Sequence, residues 1–255
     1  MKRGCSDCEL ILFTLDYHTD THEPFLYHCK GNEQEAKQLI EKIRIDDPNS
    51  IKAAIQLLRN DEHIKTALRV GIFQKAFIIS YSNFTEVPVS IQEKERMEKW
   101  KNGDSEYLMK CIEGDYGITP IRDRTYEPSD IYIPPFVPEG VYEYGSEYDD
   151  DVLEDSFLLE KMKILSQMCT DVISEDGMIR NRYILDIDLD YFRTKQSIAP
   201  LSRQIFANLV KNAEAITIAK ESDCVEMVRS DKDVTSTLLL EKLLVLLNEI
   251  ISNET

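Results

Sequence analysis

This chain of 255 residues has no apolar run long enough to cross a membrane or to form the core of a secretory signal. The opening Met1-Lys2-Arg3-Gly4 is charged, but the stretch from Leu10 to Leu15 is too short and contains Thr14. A cytoplasmic protein is therefore expected. Basic charge is also in deficit: 30 Lys and Arg stand against 47 Asp and Glu, a formal net charge of −17. Such a surface repels a nucleic-acid backbone or an anionic membrane and argues against both as partners. It suits a cationic substrate, and equally serves solubility. Cysteine is sparse for a secreted scaffold, with thiols at positions 5, 8, 29, 111, 169 and 224. Cys5 and Cys8 form a lone Cys-x-x-Cys without a second pair near by, and read as ordinary thiols rather than half a zinc site. Internal repeats and low-complexity tracts are absent. The chain is long enough to bury a full core, and one main domain is expected.

What the chain does have is two aspartate clusters: Asp16-Tyr17-His18-Thr19-Asp20, and Asp186-Ile187-Asp188-Leu189-Asp190 far downstream. Each follows an apolar run, Ile11 to Leu15 and Tyr183 to Leu185, of the kind that fills a parallel sheet covered on both faces. The acids therefore stand at C-terminal strand ends, where open α/β sheets bind ligands. Alternation along an extended chain lets Asp16, His18 and Asp20 point one way together, as it does Asp186 and Asp188. Carboxylates gathered in this way repel one another unless a divalent cation neutralises them. A mixed carboxylate and imidazole set suits manganese, iron or zinc.

Other readings of these acids are weaker. Asp is common at strand ends because it starts turns and caps helices. An EF-hand loop beginning at Asp186 needs Gly at its sixth position and Glu at its twelfth, where this chain has Tyr191 and Ser197. A haloacid-dehalogenase-type phosphatase opens its domain with Asp-x-Asp and has Thr or Val where Asp190 stands. Nothing else in the chain points to the nucleotide sugar of a glycosyltransferase.

The paired clusters resemble the ureohydrolase family of arginase and agmatinase, which shares its fold with the histone deacetylases. In that family one strand ends in Asp-x-His-x-Asp and a later one carries Asp-x-Asp. The ending Leu185-Asp-Ile-Asp-Leu-Asp-Tyr-Phe192 looks closer to a divergent branch that includes the peptide arginases. The resemblance implies a three-layer α/β/α fold with a mostly parallel sheet. It also implies one or two divalent ions, manganese first, held by Asp16, His18, Asp20, Asp186 and Asp188. The implied activity is hydrolysis of a guanidino group, free or in a peptide, releasing urea. Asp20 would handle the proton, with His22 or His28 as a relay. Glu221, after the run Ala215-Ile216-Thr217-Ile218-Ala219, would anchor the guanidinium by paired hydrogen bonds. One family feature is missing: residues 1–15 contain no His to supply the further ligand that arginases take from upstream. The rivals are an amide or acetyl-lysine deacetylase on the same fold, and a non-catalytic metal-binding or regulatory protein that retains it.

The rest of the chain alternates. Periodicity predicts helices over 33–45 and 51–70, with His63 exposed on the second, and a strand over 75–81 before a polar end in which Asn83 turns the chain. Residues 87–151 break the pattern and read as an irregular insertion or lid, with a helix near 92–102. There Tyr132, Phe136, Tyr142 and Tyr144 would either wall a cleft or cap the sheet edge. Helices follow over 153–169, 201–213 and 236–251. The last is apolar on more than one face, so it is either buried or a contact in a homo-oligomer.

Overall fold

The computed structural model describes residues 10–81, 86–137 and 148–252; Cys5, Cys8, Asn83, Tyr142 and Tyr144 lie outside them. The apolar runs form strands β1 (Ile11–Asp16), β2 (Ala76–Ser80), β3 (Ile131–Tyr132), β4 (Tyr183–Asp188) and β5 (Ala215–Ala219). They pair in the order β3-β2-β1-β4-β5, every pairing parallel. The helices are α1 (Glu33–Glu41), α2 (Pro48–Ile55), α3 (His63–Arg69), α4 (Ile91–Lys101), α5 (Ser105–Ile112), α6 (Asp155–Met168), α7 (Gln204–Asn212), α8 (Ser222–Val228) and α9 (Ser236–Ser252).

Alternation along the strands sorts side chains to two faces. Ile11, Phe13, Leu15, Phe77, Ile79, Leu185 and Ile187 point to one face and meet the apolar sides of α6, α7 and α9 in the main core. Leu12, Ala76, Ile78 and Ile184 point to the other and meet Ile64 and Leu68 of α3. Beyond α3, the first two helices close a small cluster of their own around Phe25 and Cys29. The result is the expected three-layer α/β/α fold with a parallel sheet. α9 is buried through Leu239, Leu243 and Leu246 and exposes Leu244 and Val245, so one face packs and the other meets solvent. Among the described residues, no helix is long and apolar enough to cross a membrane.

Two departures from the periodicity reading have physical causes. The helix expected over 51–70 is broken after Ile55 and resumes at His63. In the gap, the buried carboxylate of Glu62 accepts from the backbone N–H of Arg59 at 3.0 Å and of Tyr27 at 3.4 Å, which holds a short 3-10 turn. The 87–151 insertion is also more regular than expected, with α4, α5 and the edge strand β3. Tyr132 and Phe136 cap that edge: Tyr132 stacks on Phe77 at 4.9 Å, and Phe136 on Tyr81 at 4.1 Å, and both are fully buried.

One buried polar bond ties the sheet to a helix end. The Tyr183 hydroxyl, at the start of β4, donates to the Leu209 carbonyl in the last turn of α7 at 2.6 Å, satisfying one of the acceptors a helix terminus leaves open. Replacing Tyr183 with Phe should cost about 1–3 kcal/mol, the penalty of an unmet buried acceptor. Urea unfolding would register this as a lower midpoint at constant slope. An unchanged midpoint would mean that Leu209 finds another donor.

Candidate metal centre

Strand order reverses between β1 and β4: the chain runs outward from β1 through β2 to β3, then starts again on the other side with β4 and β5. A crevice opens at the carboxyl ends of the strands at such a switch point. The register Thr14 opposite Asp186 and Leu15 opposite Ile187 brings the last residues of both strands to the same edge. Both aspartate clusters begin there.

Each cluster leaves its strand by the same local device. The Asp16 carboxylate accepts the N–H of His18 at 2.7 Å, and the Asp188 carboxylate accepts the N–H of Asp190 at 3.1 Å. These are side-chain turns in which Asp bonds the backbone two residues on. They bend the chain, so the cluster converges through turns rather than by strand alternation. The Asp190 carboxylate also accepts the N–H of Tyr17 at 3.2 Å, which links the two clusters directly. His18 Nδ1 lies 3.1 Å from Asp190 Oδ2 and 4.0 Å from Asp16 Oδ1.

Among the described residues, Asp16, His18 and Asp190 are the one set of three that offers ligand atoms all within 4.8 Å of one another. Asp16 and Asp190 are buried, and His18 is half exposed. The electrostatics are those of crowded, buried carboxylates. Burial, followed by Asp20, Asp190 and Asp188, pushes the Asp16 carboxyl well above the usual carboxylate range. Burial and then Asp190 raise Asp188 to about 8. No Lys or Arg figures among the main influences on either acid. The hydrogen bond to Asp190 is the largest influence on His18 and raises its pKa. A divalent cation among the same oxygen and nitrogen atoms would offset the crowding, and the donor set fits manganese, iron or zinc.

The other expected residues are distributed around this core. Asp20 adopts a left-handed φ of +48°, a conformation Asp tolerates better than most residues. Burial raises its carboxyl to about 6 against the lowering influence of His63 and His18. His63 was expected only as an exposed helix residue; its Nδ1 stands 3.8 Å from Asp20 Oδ2 and 2.5 Å from the carbonyl of Asn60. Asp186 sits deeper in β4, and its carboxylate accepts the Thr217 hydroxyl of β5. Glu221 stands at the start of α8, with its carboxylate bound by Asn60 Nδ2, 3.1 Å to each oxygen, and by Cys224 Sγ.

A cavity of about 360 Å3 opens beside the core, lined by Tyr17, His18, Asp20, His22, Asp61 and Tyr81. His22 and Asp61 also border a second groove of about 830 Å3, and His28 lines that groove rather than the first cavity. Tyr17 and Tyr81 stack at 5.1 Å, with the Arg193 guanidinium over both rings at 5.7 and 5.6 Å. Arg193 is itself held by Asp149 at 2.8 Å and the Val228 carbonyl at 2.6 Å.

Sequence reasoning gave no ligand role to Asp190, although the third Asp of the second cluster was in view; it placed His63 correctly as an exposed helix residue but not beside Asp20. Alternation pointed to Asp186 and Asp188, but the turn after β4 carries Asp190 back toward Asp16. Comparison with family models, curated proteins and solved structures yields no match to this chain.

The crowding of carboxylates gives a stability signature. An acid whose pKa is raised in the folded state lends stability below its unfolded value, which is lost as pH rises through the folded value. For Asp188 that window runs from 3.8 to about 8. Asp188→Asn keeps an acceptor for the Asp190 N–H and escapes the loss. In chelator, the melting temperature of Asp188→Asn should gain on wild type as pH rises through that window, by at least roughly 2–4 °C for each kcal/mol relieved. A constant difference from pH 4 to pH 8 would show that Asp188 is not under electrostatic strain.

Proposed function

We propose that this protein is a metal-dependent hydrolase of a guanidino group, related in its site to the ureohydrolases, that releases urea and an amine. The observation that carries the reading is the convergence of Asp16, His18 and Asp190 within 4.8 Å at the switch point of a parallel sheet. Asp16 and His18 are shared with the set the resemblance implies, and Asp190, which that set lacks, is the third member of the observed group. Asp20 and Asp188 stand next to that core and are the carboxylates available to a second ion. Manganese is the ion we propose, on the mixed oxygen and nitrogen donors.

A divalent cation held there supplies Lewis acidity, making a water nucleophilic near neutral pH and stabilising the charge that develops as it attacks. The chain's own residues do the rest. Water adds to the guanidinium carbon, the bond from that carbon to the substrate's nitrogen breaks, and urea and a protonated amine leave. Asp20, at the cavity with His63 3.8 Å away and His22 on the same wall, is the group that holds and passes the proton. Glu221 stands near enough to Asp20 and Asp188 to raise both carboxyls. Asn60 holds both of its oxygens, and in the proposed complex a substrate guanidinium would take over that two-oxygen contact. An acid at this position favours a guanidino substrate over an acetyl-lysine, whose neutral amide has no need of one. The groove beyond His22 and Asp61 favours a substrate longer than a free amino acid, such as arginine in a peptide.

The test is reconstitution with manganese, followed by metal stoichiometry and urea release from free and peptidyl guanidines. Wild type should bind one or two ions and release urea. Asp190→Asn should weaken binding by at least about 100-fold, because loss of a mere outer-shell partner already costs about 10–100-fold. Glu221→Gln should retain metal and raise KM. Absence of metal in wild type, or unchanged affinity in Asp190→Asn, defeats the proposal. Metal binding without urea release points to the deacetylase or regulatory reading.

A further inference from the structure

The two edges of the sheet are protected differently. β3 is two residues long, and just beyond it Ile133 forms an antiparallel bridge with Val87. β5 is five residues long and, among the described residues, nothing pairs with its outer side. β1 and β2 are buried at every position, whereas no residue of Ala215–Ala219 is buried. Ile216 and Ile218 lean on the main core, and Ala215 and Thr217 stand exposed on the opposite face. Proteins commonly guard such an edge with a charge in the strand, a proline, a bulge or a covering segment. Ala-Ile-Thr-Ile-Ala has neither charge nor proline, and its register with β4 runs without a bulge.

The strand itself says what fits there. Glu214-Ala-Ile-Thr-Ile-Ala-Lys220 reads the same in both directions apart from its ends, which carry opposite charges. Two copies paired antiparallel about Thr217 therefore match at every position: Thr217 faces Thr217, Ile216 faces Ile218, and Ala215 faces Ala219. At both ends Glu214 of one copy faces Lys220 of the other, so no like charges meet, and opposite charges across a strand pair are favourable. Glu214 already holds Arg182 of its own chain, at 2.8 and 3.2 Å. A carboxylate has about four acceptor sites, so it can take an ammonium as well. A self-complementary strand is what a two-fold contact requires, because such a contact sets one patch against itself.

We propose that the free edge of β5 is the dimerisation surface of this protein, and that its partner is β5 of a second copy, paired antiparallel about Thr217. Two five-stranded sheets then become one of ten strands. The two halves run in opposite directions, so their carboxyl edges point away from each other and each copy keeps its own aspartate cleft.

The whole chain should be followed by sedimentation from about 100 µM down to about 0.1 µM, a range suited to micromolar dissociation constants. Wild type should pass from dimer to monomer on dilution. Ala215→Lys with Ala219→Lys sets like charges opposite each other and should be monomeric throughout, with an unchanged circular dichroism spectrum, since neither position is buried. Ala215→Glu with Ala219→Lys sets opposite charges at the same two positions and should dimerise, which separates loss of pairing from loss of folding. Cross-linking reads the register. Thr217→Cys should form a disulfide from position 217 to itself on mild oxidation, because the two-fold places that residue opposite its own counterpart. In Ala215→Cys the counterparts lie four residues apart along the strands, about 13 Å, and should not link. A wild type that is monomeric at the highest concentration overturns the proposal. So does a dimer that persists with lysine at both alanine positions, one that is lost in the chain with opposite charges, or a disulfide that forms at 215 and not at 217.

Discussion

The parallel pairing of β1 with β4 is the constraint on which the site depends. Two parallel neighbours end on the same edge, so the residues that follow Leu15 and Ile187 are delivered side by side. Had the two strands run antiparallel, the clusters would stand at opposite ends, about 20 Å apart for six residues at ~3.3 Å each. The pairing brings acids together whose mutual repulsion nothing in the apolar core can relieve. It is tolerated because the two side-chain turns feed backbone N–H groups to Asp16 and Asp188, and because His18 can carry a proton among them.

The second ring of residues comes from the segment between α2 and α3. Had that stretch continued as helix, its side chains would follow the helix surface; broken at Glu62, it presents Asn60, Asp61 and His63 to the cleft. The Asp61 carbonyl accepts the N–H of His22 at 2.9 Å, which fixes the loop after Asp20. Departure from helical geometry here positions chemistry, in keeping with the tendency of functional groups to lie where local regularity fails.

The strands were legible because buried parallel strands are nearly continuous apolar runs, and Ile11 to Leu15 and Ala76 to Ile79 are both of that kind. The acids at their ends were legible for the same reason, since a charge at the close of such a run has few places to go. Less was visible wherever partners distant in sequence decide the outcome. The break before His63 depends on Tyr27 and Arg59 N–H groups reaching Glu62, and Asp190 joins Asp16 through a turn that no alternation rule describes. α5 and α8 are short helices without a long periodic face, and the start of α5 is set by the Asp104 carboxylate, which accepts the N–H of Tyr107. Asp186 was in view, but its deeper rung and its Thr217 partner follow from pairing with β5.

The hydrogen bond from Tyr17 to Asp190 spans 173 positions of the chain. During synthesis at about 5–20 residues per second, Asp16 and His18 therefore leave the ribosome roughly 10–35 s before Asp190 does. For that interval the Asp-x-His-x-Asp sequence has half of the candidate site. The convergence of Asp16, His18 and Asp190 has to wait for β4 to dock beside β1. The order of the two clusters in the chain thus makes assembly of the candidate site a late event, timed by the folding of the sheet.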